Sequence, residues 1–466
     1  MNVRVRFLGG AQSVTGSKYL LEIGHKKLLI DCGMFQGRKE LRLRNWDSLP
    51  IEINSIDAVV LTHAHIDHSG YLPKIVKEGF TGNVYCTEAT KGLLDIMLLD
   101  AAKLQEEEAH FAAKKGYSKH EKPQPLFNSK DAEDALALLK TYPYGAPIDI
   151  FEDVHLVFHN AGHILGSAII EIRIKNNSNT KTIVFSGDLG RNRNPILGGP
   201  AVINTADILF VESTYGDRIN EDKNVEERFV QLVNDALHRK GCILIPAFAV
   251  GRTQLLLYYF KQFMESGEIP SVPVYIDSPM AISTTKLYWQ YPNYHTLADR
   301  VHQQASVFDY PQFHYYRSRE ASTSLNAIEK DAIIISASGM CTGGRILHHL
   351  YHRLHRNRDT LMFVGYQAEE TRGRKILDGE PTIKIFGDEM IVNCHIEKFD
   401  GLSAHADKAE LLQWVGNFTS PPQKTFIVHG EKTSSNALKE SIMHDLGWQN
   451  VIVPEYFESF DLFTSI

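Results

Sequence analysis

The chain has 466 residues, of which 43% are hydrophobic and 23% charged, and its formal net charge is -7. This composition is that of a globular protein large enough for two or three domains. The negative charge disfavours a protein that coats nucleic acid indiscriminately, because such binding needs a basic surface that neutralises phosphates. No apolar run approaches the length of a bilayer span, so no membrane partner is expected.

The N-terminus and the cysteines indicate a cytoplasmic protein. Residues 1–7 alternate between polar and apolar side chains like a first strand, instead of offering a signal sequence. The five cysteines are scattered, odd in number and without Cys-x-x-Cys spacing, which argues against a disulfide framework and a zinc knuckle. A reducing cytoplasm is therefore the expected location.

Apolar runs of strand type alternate with helical patterns along the chain, which predicts a layered α/β architecture. In the first part, strands are predicted at 58–61 and 84–87 and helices at 70–77 and 90–110. The polar segment 106–131, which contains two prolines, is expected to form a surface excursion. A second α/β unit is predicted from about 215 to 393, with helices at 225–239, 253–266 and 345–355 and strands at 242–246, 274–277, 333–336 and 361–364.

The densest group of metal-ligand residues follows the predicted strand 58–61, and it comprises His63, His65, Asp67 and His68. A single histidine is usually an ordinary core or surface residue. Three histidines and an aspartate within six residues are difficult to explain in that way. Because a strand that runs into a loop points alternate side chains the same way, His63 and His65 can converge on one ion while Asp67 and His68 face a neighbouring one.

Further ligands are expected at other strand ends, because distant chain segments meet where a sheet presents its edge loops together. Three candidates end apolar runs in this way: His163, Asp188 and His429. The carboxylate of Asp188 has two oxygens and could bridge two cations. Each residue alone is a weak signal, but with the 63–68 group they complete two plausible coordination spheres of nitrogen and oxygen ligands.

With these residues the chain resembles the metallo-β-lactamase superfamily and, within it, the β-CASP nucleases. The five superfamily motifs correspond to Asp31, the 63–68 group, His163, Asp188 and His429, and the β-CASP motifs correspond to Glu212, His405 and again His429. The resemblance implies an αββα metallo-β-lactamase sandwich with an inserted α/β β-CASP domain and an active site in the interdomain cleft. It implies a metallo-β-lactamase domain at 1–212 and 394–466 and a β-CASP domain at 213–393.

The same resemblance implies a metal-dependent hydrolase with two Zn²⁺ ions per chain. Three histidines would hold one ion, namely His63, His65 and His163. Asp67, His68 and His429 would hold the other, and Asp188 would be shared. Asp31 would orient a ligand from outside the coordination sphere. His405 would protonate the leaving oxygen, held in place by Glu212.

The expected substrate is single-stranded RNA. The last motif is a histidine in the RNA-processing branch of the family and typically a valine in the DNA-repair branch, and this chain has His429. We therefore expect a ribonuclease that leaves 5′-phosphate and 3′-hydroxyl ends, with endonucleolytic and 5′-to-3′ exonucleolytic cutting both open. A β-CASP nuclease for DNA and a dinuclear zinc hydrolase of small esters or thioesters remain alternatives. A silent scaffold subunit is disfavoured by the complete ligand set.

Two glycine-rich turns that open predicted helices are candidate RNA-binding sites, because backbone N–H groups at a helix N-terminus suit anions. The predicted RNA contacts are Arg252 in the first turn and, in the second, Ser338, Gly339, Thr342, Gly343, Gly344 and Arg345. The stretch 345–375 is rich in arginine and histidine, and either phosphate contact or a solvated helix face would explain it. The resemblance allows a homodimer, and we expect neither the N-terminal RNA-binding modules of archaeal relatives nor the C-terminal domain of the ribonuclease J type.

Overall fold

The computed structural model describes residues 2–115, 123–176, 179–220, 224–297, 307–365, 367–399 and 401–463. Tertiary contacts divide the chain into two compact units. The first unit comprises Met1–Ile219 and His405–Ile466, and the second comprises Asn220–Ala404. The centre of the predicted 106–131 excursion, at 116–122, lies outside the described residues. Within the described ranges, no helix has the length and apolar character needed to cross a membrane.

Two seven-stranded sheets form the centre of the first unit. From edge to edge, the first sheet consists of β22 (Ser459–Phe463), β1 (Val3–Gly9), β2 (Lys18–Ile23), β3 (Lys26–Ile30), β4 (Ala58–Val60), β5 (Asn83–Thr87) and β6 (Leu139–Tyr142). The second sheet consists of β21 (Val451–Ile452), β20 (Lys424–Val428), β11 (Ile208–Glu212), β10 (Asn179–Phe185), β9 (Ala168–Asn176), β8 (Val154–Asn160) and β7 (Ile148–Phe151).

The strand sequences explain these positions. In β1, Val3, Val5 and Phe7 are buried and alternate with arginines, because one face of the strand lies on the core and the other faces outward. In contrast, β11 and β20 pair in parallel and are almost continuously apolar. That pattern is expected of parallel strands covered on both faces.

The main core of the first unit lies between its two sheets. Phe7 of the first sheet packs against Phe426 of the second, with ring centroids 5.3 Å apart. The outer face of the second sheet is covered by apolar side chains of two helices, such as Trp414 and Leu438. The helices of this unit are α1 (Lys39–Leu43), α2 (Ile66–Ser69), α3 (Leu72–Lys77), α4 (Glu88–Lys115), α5 (Ser129–Ala137), α12 (Lys408–Val415) and α13 (Lys432–Asp445), with a 3₁₀ turn at Ile53–Ser55. Because α4 packs on β5 and β6, the predicted αββα layering is confirmed.

The second unit is built on a six-stranded parallel sheet. From edge to edge its strands are β14 (Phe313–Tyr315), β13 (Val274–Asp277), β15 (Ala332–Ser336), β12 (Cys242–Pro246), β16 (Thr360–Phe363) and β19 (His395–Lys398). A separate hairpin pairs β17 (Thr382–Ile385) with β18 (Asp388–Ile391). The helices are α6 (Val225–His238), α7 (Arg252–Glu265), α8 (Pro279–Gln290), α9 (Arg319–Ser324), α10 (Ile346–Arg353) and α11 (Arg372–Leu377), with 3₁₀ turns at Pro292–Tyr294 and Leu325–Ala327.

The strand order of the second unit contains a topological switch point. The neighbouring strands β15 and β12 continue in opposite directions across the sheet, since β12 leads to β13 and β15 leads to β16. In open parallel sheets, ligands bind in the crevice beyond the carboxyl ends of such strands. The two predicted glycine-rich turns follow β12 and β15, so both lie at this edge of the sheet.

Candidate metal centre

Asp188 lies between two groups of histidines in the first unit. It follows β10 through Gly187, whose φ is +55° and where a Cβ atom would come 2.9 Å from the Cβ of Thr62. The carboxylate is buried. Its Oδ2 lies 3.5 Å from Nε2 of both His63 and His163. The burial of this carboxylate between imidazoles indicates a site built for positive charge.

The other oxygen of Asp188 faces the second group. Oδ1 lies 3.2 Å from Nε2 of His68 and 3.2 Å from Nδ1 of His429. This oxygen is buried and accepts no hydrogen bond from any part of the chain that the structure describes. A buried carboxylate oxygen without a donor is costly unless a cation satisfies it.

The first group of potential ligands consists of His63, His65, His163 and Asp188. Nδ1 of His65 lies 3.1 Å from Nε2 of His63 and 3.2 Å from Nε2 of His163. Ligand atoms about 2.0–2.1 Å from a tetrahedral zinc ion are themselves about 3.3 Å apart. The spacing of these nitrogens and of the Asp188 oxygen therefore fits one such ion.

The second group consists of Asp67, His68 and His429. Nε2 of His429 lies 3.1 Å from Nε2 of His68 and 3.5 Å from Oδ2 of Asp67. With Asp188 Oδ1, these residues offer four nitrogen and oxygen donors, a set that suits zinc and other first-row metals. The structure brings these three residues together, although Asp67 and His68 lie on the short helix α2 and not on an alternating loop.

A layer of hydrogen bonds surrounds these side chains. Asp31, at a φ of +57°, accepts the N–H of Thr62 at 2.7 Å and contacts Nδ1 of His68 at 2.7 Å. The hydroxyl of Thr62 lies 3.0 Å from Nδ1 of His63, and that of Thr214 lies 3.2 Å from Nδ1 of His429. Such contacts fix the orientation of a ligating imidazole. Neither threonine was predicted as part of the site. Thr62 directly precedes His63, and Thr214 lies two residues after Glu212.

His405 and Glu212 form a pair beside the two groups. Nδ1 of His405 lies 3.2 Å from Oε1 of Glu212 and 4.0 Å from Oδ2 of Asp188. Glu212 is fully buried and also accepts the backbone N–H groups of Leu189 at 2.7 Å and Thr214 at 3.2 Å. Asp188, Glu212 and His405 are close enough to hold a cation themselves.

The pKa values in the site are shifted by burial and by the crowding of charges. Burial, together with the neighbouring imidazole of His68, lowers the pKa of His63 well below its ordinary value. The pKa of His405 rises to about 9, because Glu212 and Asp188 outweigh the opposing effect of burial. Burial also opposes the shift at Asp188, but the imidazoles of His429 and His68 hold the pKa of that carboxyl well below its ordinary value. The centre therefore keeps an ionised carboxylate in a buried position.

The second glycine-rich turn, residues 336–345, is the predicted phosphate cradle, and one of its own side chains partly fills it. The hydroxyl of Ser338 accepts the N–H groups of Thr342 at 3.1 Å and Gly343 at 3.3 Å. The N–H groups of Gly339 and Gly344 have no acceptor within the described ranges. These two amides are among the backbone donors of the turn that remain for a ligand.

The arginines near this cradle contact the protein. Arg345 donates to Oδ1 of Asp277 at 2.7 Å and to two backbone carbonyls, and Arg252 donates to the carbonyl of Val364. The buried Arg353 pairs with Asp359 at 2.9 Å. Much of the positive charge in the 345–375 stretch is thus engaged within the fold. Binding of RNA by Arg252 and Arg345 stays a prediction.

Three family models match successive parts of the chain. The metallo-beta-lactamase superfamily model matches residues 14–222, the Beta-Casp domain model matches 253–376, and the model of a Zn-dependent metallo-hydrolase RNA specificity domain matches 389–454. Ribonuclease TTHA0252 of Thermus thermophilus is 36% identical over 94% of this chain and 95% of its own length. The chain belongs to the β-CASP family of the metallo-β-lactamase superfamily.

Membership in the β-CASP family makes the chain a hydrolase of the metallo-β-lactamase type. A second β-CASP relative, the transcription termination factor FttA of Methanothermobacter thermautotrophicus, is 32% identical over 94% of this chain and 69% of its own length. A crystal structure of a protein of unknown function from Enterococcus faecalis V583 covers 99% of this chain and all of its own, with a TM-score of 0.54 and 14% identity. At that identity the likeness concerns the fold alone.

Proposed function

We propose that this β-CASP protein is a zinc-dependent ribonuclease that hydrolyses phosphodiester bonds of single-stranded RNA and leaves 5′-phosphate and 3′-hydroxyl ends. The observation that carries the proposal is the position of Asp188. One of its oxygens faces His63 and His163, and the other faces His68 and His429. A carboxylate placed between two sets of ligands suits a two-metal centre of the kind that nucleases use.

In this proposal His63, His65 and His163 hold one zinc ion, Asp67, His68 and His429 hold the other, and Asp188 belongs to both. Asp31 acts from outside by holding the imidazole of His68. When bound, the two ions would supply a nucleophile at neutral pH and positive charge for the phosphate oxygens. The model of a Zn-dependent metallo-hydrolase domain supports zinc, and the nitrogen-rich donor set agrees with it.

His405 is the proposed proton donor for the leaving oxygen. Its Nδ1 contacts Glu212, so a proton on Nε2 can be passed to the substrate while the ring stays in one orientation. The backbone also fixes this histidine, because His405 forms a β-bridge with Gly190, two residues after Asp188. Glu212 is therefore a positioning residue, and His405 is the group that touches the reacting atoms.

RNA is the favoured substrate for two reasons. The RNA specificity model covers residues 389–454, which include both His405 and His429. The Thermus thermophilus relative that aligns along nearly the whole chain is named a ribonuclease. A β-CASP nuclease for DNA and a hydrolase of small esters or thioesters are the alternatives that the experiment below must separate.

The second unit would contribute RNA contacts at its switch point. The free amides of Gly339 and Gly344 suit a phosphate oxygen, and Ser338, Thr342 and Gly343 shape the turn that presents them. Arg252 and Arg345 would add positive charge at the same edge of the sheet. We further propose a cytoplasmic enzyme, with domain boundaries near 212 and 393 and with a homodimer as one possible assembly.

Zinc-loaded protein incubated with matched single-stranded RNA and DNA, each labelled at the 5′ end, tests the function. We expect products from RNA alone, with discrete internal fragments for endonucleolytic cutting and released mononucleotides for exonucleolytic cutting. Metal analysis of the same sample should give two zinc ions per chain. Asp188→Ala serves as the inactive control.

Two results would contradict the proposal. Equal cleavage of DNA would favour a nuclease without sugar preference. Cleavage of neither polymer by a protein with confirmed metal, together with turnover of small esters or thioesters, would establish the alternative hydrolase.

A further inference from the structure

Residues 36–46 form a closed surface loop in the first unit, here named the 36–46 loop. A single side chain joins its ends. Oδ1 of Asn45 accepts the N–H of Phe35 at 2.8 Å, and Nδ2 of Asn45 donates to the carbonyl of Phe35 at 2.8 Å. Surface loops with closed ends of this kind are frequently functional.

The base of the 36–46 loop adjoins the metal centre. The N–H of Cys32 donates to the carbonyl of His68 at 2.7 Å, and the N–H of Met34 donates to the carbonyl of Ile66 at 2.9 Å. Both acceptors lie on α2, the helix that carries two of the proposed ligands. The segment that leads into the loop is therefore hydrogen-bonded to the helix that carries Asp67 and His68.

The 36–46 loop is strongly basic in a chain whose net charge is negative. It carries one carboxylate, Glu40, and four cations, namely Arg38, Lys39, Arg42 and Arg44. Lys39 and Arg42 are exposed, and neither forms an ion pair or a side-chain hydrogen bond with any residue that the structure describes. Its helix α1 buries none of its residues. The charges of Lys39 and Arg42 therefore have no structural partner among the described residues.

An exposed aromatic side chain accompanies the charges. Trp46 is 57% exposed and Leu43 is 53% exposed. The guanidinium of Arg44 lies over the ring of Tyr456 at 4.4 Å, which holds the end of the loop against the body of the unit. An exposed indole beside cations is the combination that binds unpaired nucleic acid, because a base can stack on the ring while the cations contact its phosphates.

We propose that the 36–46 loop is a binding surface for the single-stranded RNA substrate outside the metal centre. Lys39 and Arg42 contact phosphates, and Trp46 stacks on an unpaired base. The inference rests on the proposed ribonuclease function and extends it by naming the surface that the RNA strand follows beside the metal centre. The occupant is a single strand because the indole needs a base that is not already stacked in a duplex, and it is RNA because RNA is the proposed substrate.

The double variant Lys39→Gln/Arg42→Gln tests the charges. For a long single-stranded RNA we expect KM to rise roughly tenfold at low salt with kcat unchanged, and the slope of log affinity against log salt to fall by about 1.4, since each phosphate contact contributes about 0.7 for single strands. Hydrolysis of the small diester bis(p-nitrophenyl) phosphate should not change. Lys140→Gln/Lys384→Gln removes the same charge from exposed positions elsewhere and should leave all three quantities unchanged.

Binding measured without cleavage separates this inference from the proposed function. In the His405→Ala background, RNA should quench the fluorescence of Trp46, and Trp46→Phe should remove that signal and weaken binding about tenfold. Trp289→Phe, at a tryptophan that is 48% exposed, should do neither. If binding depends on these residues but the zinc-loaded chain with His405 intact cleaves no RNA, the loop is supported and the ribonuclease is contradicted.

Three results would overturn the inference. One is active cleavage of RNA with an unchanged KM and salt slope in Lys39→Gln/Arg42→Gln. Another is an equal loss in the Lys140→Gln/Lys384→Gln control. The third is equally tight, equally salt-dependent binding of single-stranded DNA through the same residues, which would exclude RNA as the specific occupant.

Discussion

Both units place polar and charged side chains beyond the carboxyl ends of parallel strands, but the two sets are satisfied in different ways. In the first unit, ring nitrogens of several histidines and the oxygens of Asp188 face one another. Oδ1 of Asp188 is buried without a hydrogen-bond donor within the described ranges. Burying such a cluster is energetically unfavourable unless a bound cation compensates for it.

In the second unit, opposite charges meet directly. Asp277 accepts from Arg345, from His349 and from the hydroxyl of Ser322, each at 2.7 Å. At the opposite edge of the same sheet, Asp359 precedes β16 and pairs with the buried Arg353. These charges need no ligand, because each carboxylate already has donors from the chain.

A dense group of residues with functional side chains indicates its role only when the partners of those side chains are known. Histidines and carboxylates that converge without donors indicate a metal site, whereas arginines that end on carboxylates and carbonyls indicate a structural network. Substitutions in each unit test this contrast.

Asp188→Ala should abolish activity and metal binding together, because it removes a donor from both groups. We expect a loss greater than the roughly 10⁴-fold that removal of a general acid can cause. Metal content and RNA cleavage are the two measurements. Asp188→Asn keeps the shape of the side chain but not its charge and serves as the matched variant, with circular dichroism to check folding. Full metal occupancy in both variants would contradict a shared carboxylate.

His405→Ala should keep its metal and still lose about 10²- to 10⁴-fold in kcat, because it removes only the proposed proton donor. The measurement is turnover of RNA by protein whose zinc content equals that of the unaltered chain. A substrate with a leaving group that needs no proton, such as a p-nitrophenyl diester, should be affected much less. Unchanged turnover of RNA in a metal-loaded variant would refute the assignment of His405.

Arg353→Ala should lower the free energy of unfolding by about 3–5 kcal/mol, because it leaves the buried Asp359 without its partner. Thermal or denaturant unfolding of the metal-loaded protein measures this loss. Arg358→Ala, at an exposed arginine of the same stretch, should change stability by less than about 0.5 kcal/mol. Equal effects of the two substitutions would mean that the 345–375 stretch is not the structural network described here.

Lys18 offers a smaller test, because this buried cation of the first unit has no carboxylate partner among the described residues. It donates to the carbonyl of Gly33 and lies over the rings of Phe35 and Tyr71 at 4.5 and 4.8 Å. Burial lowers its pKa to about 8. The unfolded chain therefore binds more protons between about pH 8 and 10.5, so this lysine makes stability rise with pH across that window, by about 1 kcal/mol from pH 8 to pH 9.

The measurement for Lys18 is the pH dependence of unfolding compared with Lys18→Met. The methionine variant lacks the titrating group and should show a shallower rise over the same pH range. Parallel curves for the two proteins would show that the ammonium is not buried as the structure describes.

Much of the candidate site could be predicted because its residues follow apolar strands. His163, Asp188 and His429 each end a run that buries itself in a sheet, and side chains at neighbouring strand ends meet in space. The contacts of Thr62 and Thr214 could not be predicted, since a threonine hydroxyl has no spacing that marks it. The partners of Arg345 and Arg353 were equally hidden, because Asp277 and the carbonyls near residue 325 approach them only after folding.

Sequence patterns alone specify the layered α/β class, the order of strands and helices, the family and the residues able to bind metal. Periodic burial and the local density of histidines and carboxylates carry that information along the chain. Which atoms face each other depends on folding. The two oxygens of Asp188 lie toward separate histidine groups, Nδ1 of His405 lies toward Glu212, and Arg345 and Arg353 of the second unit pair with carboxylates. Those choices depend on distances of a few ångströms between segments far apart in the chain, and no local pattern records them.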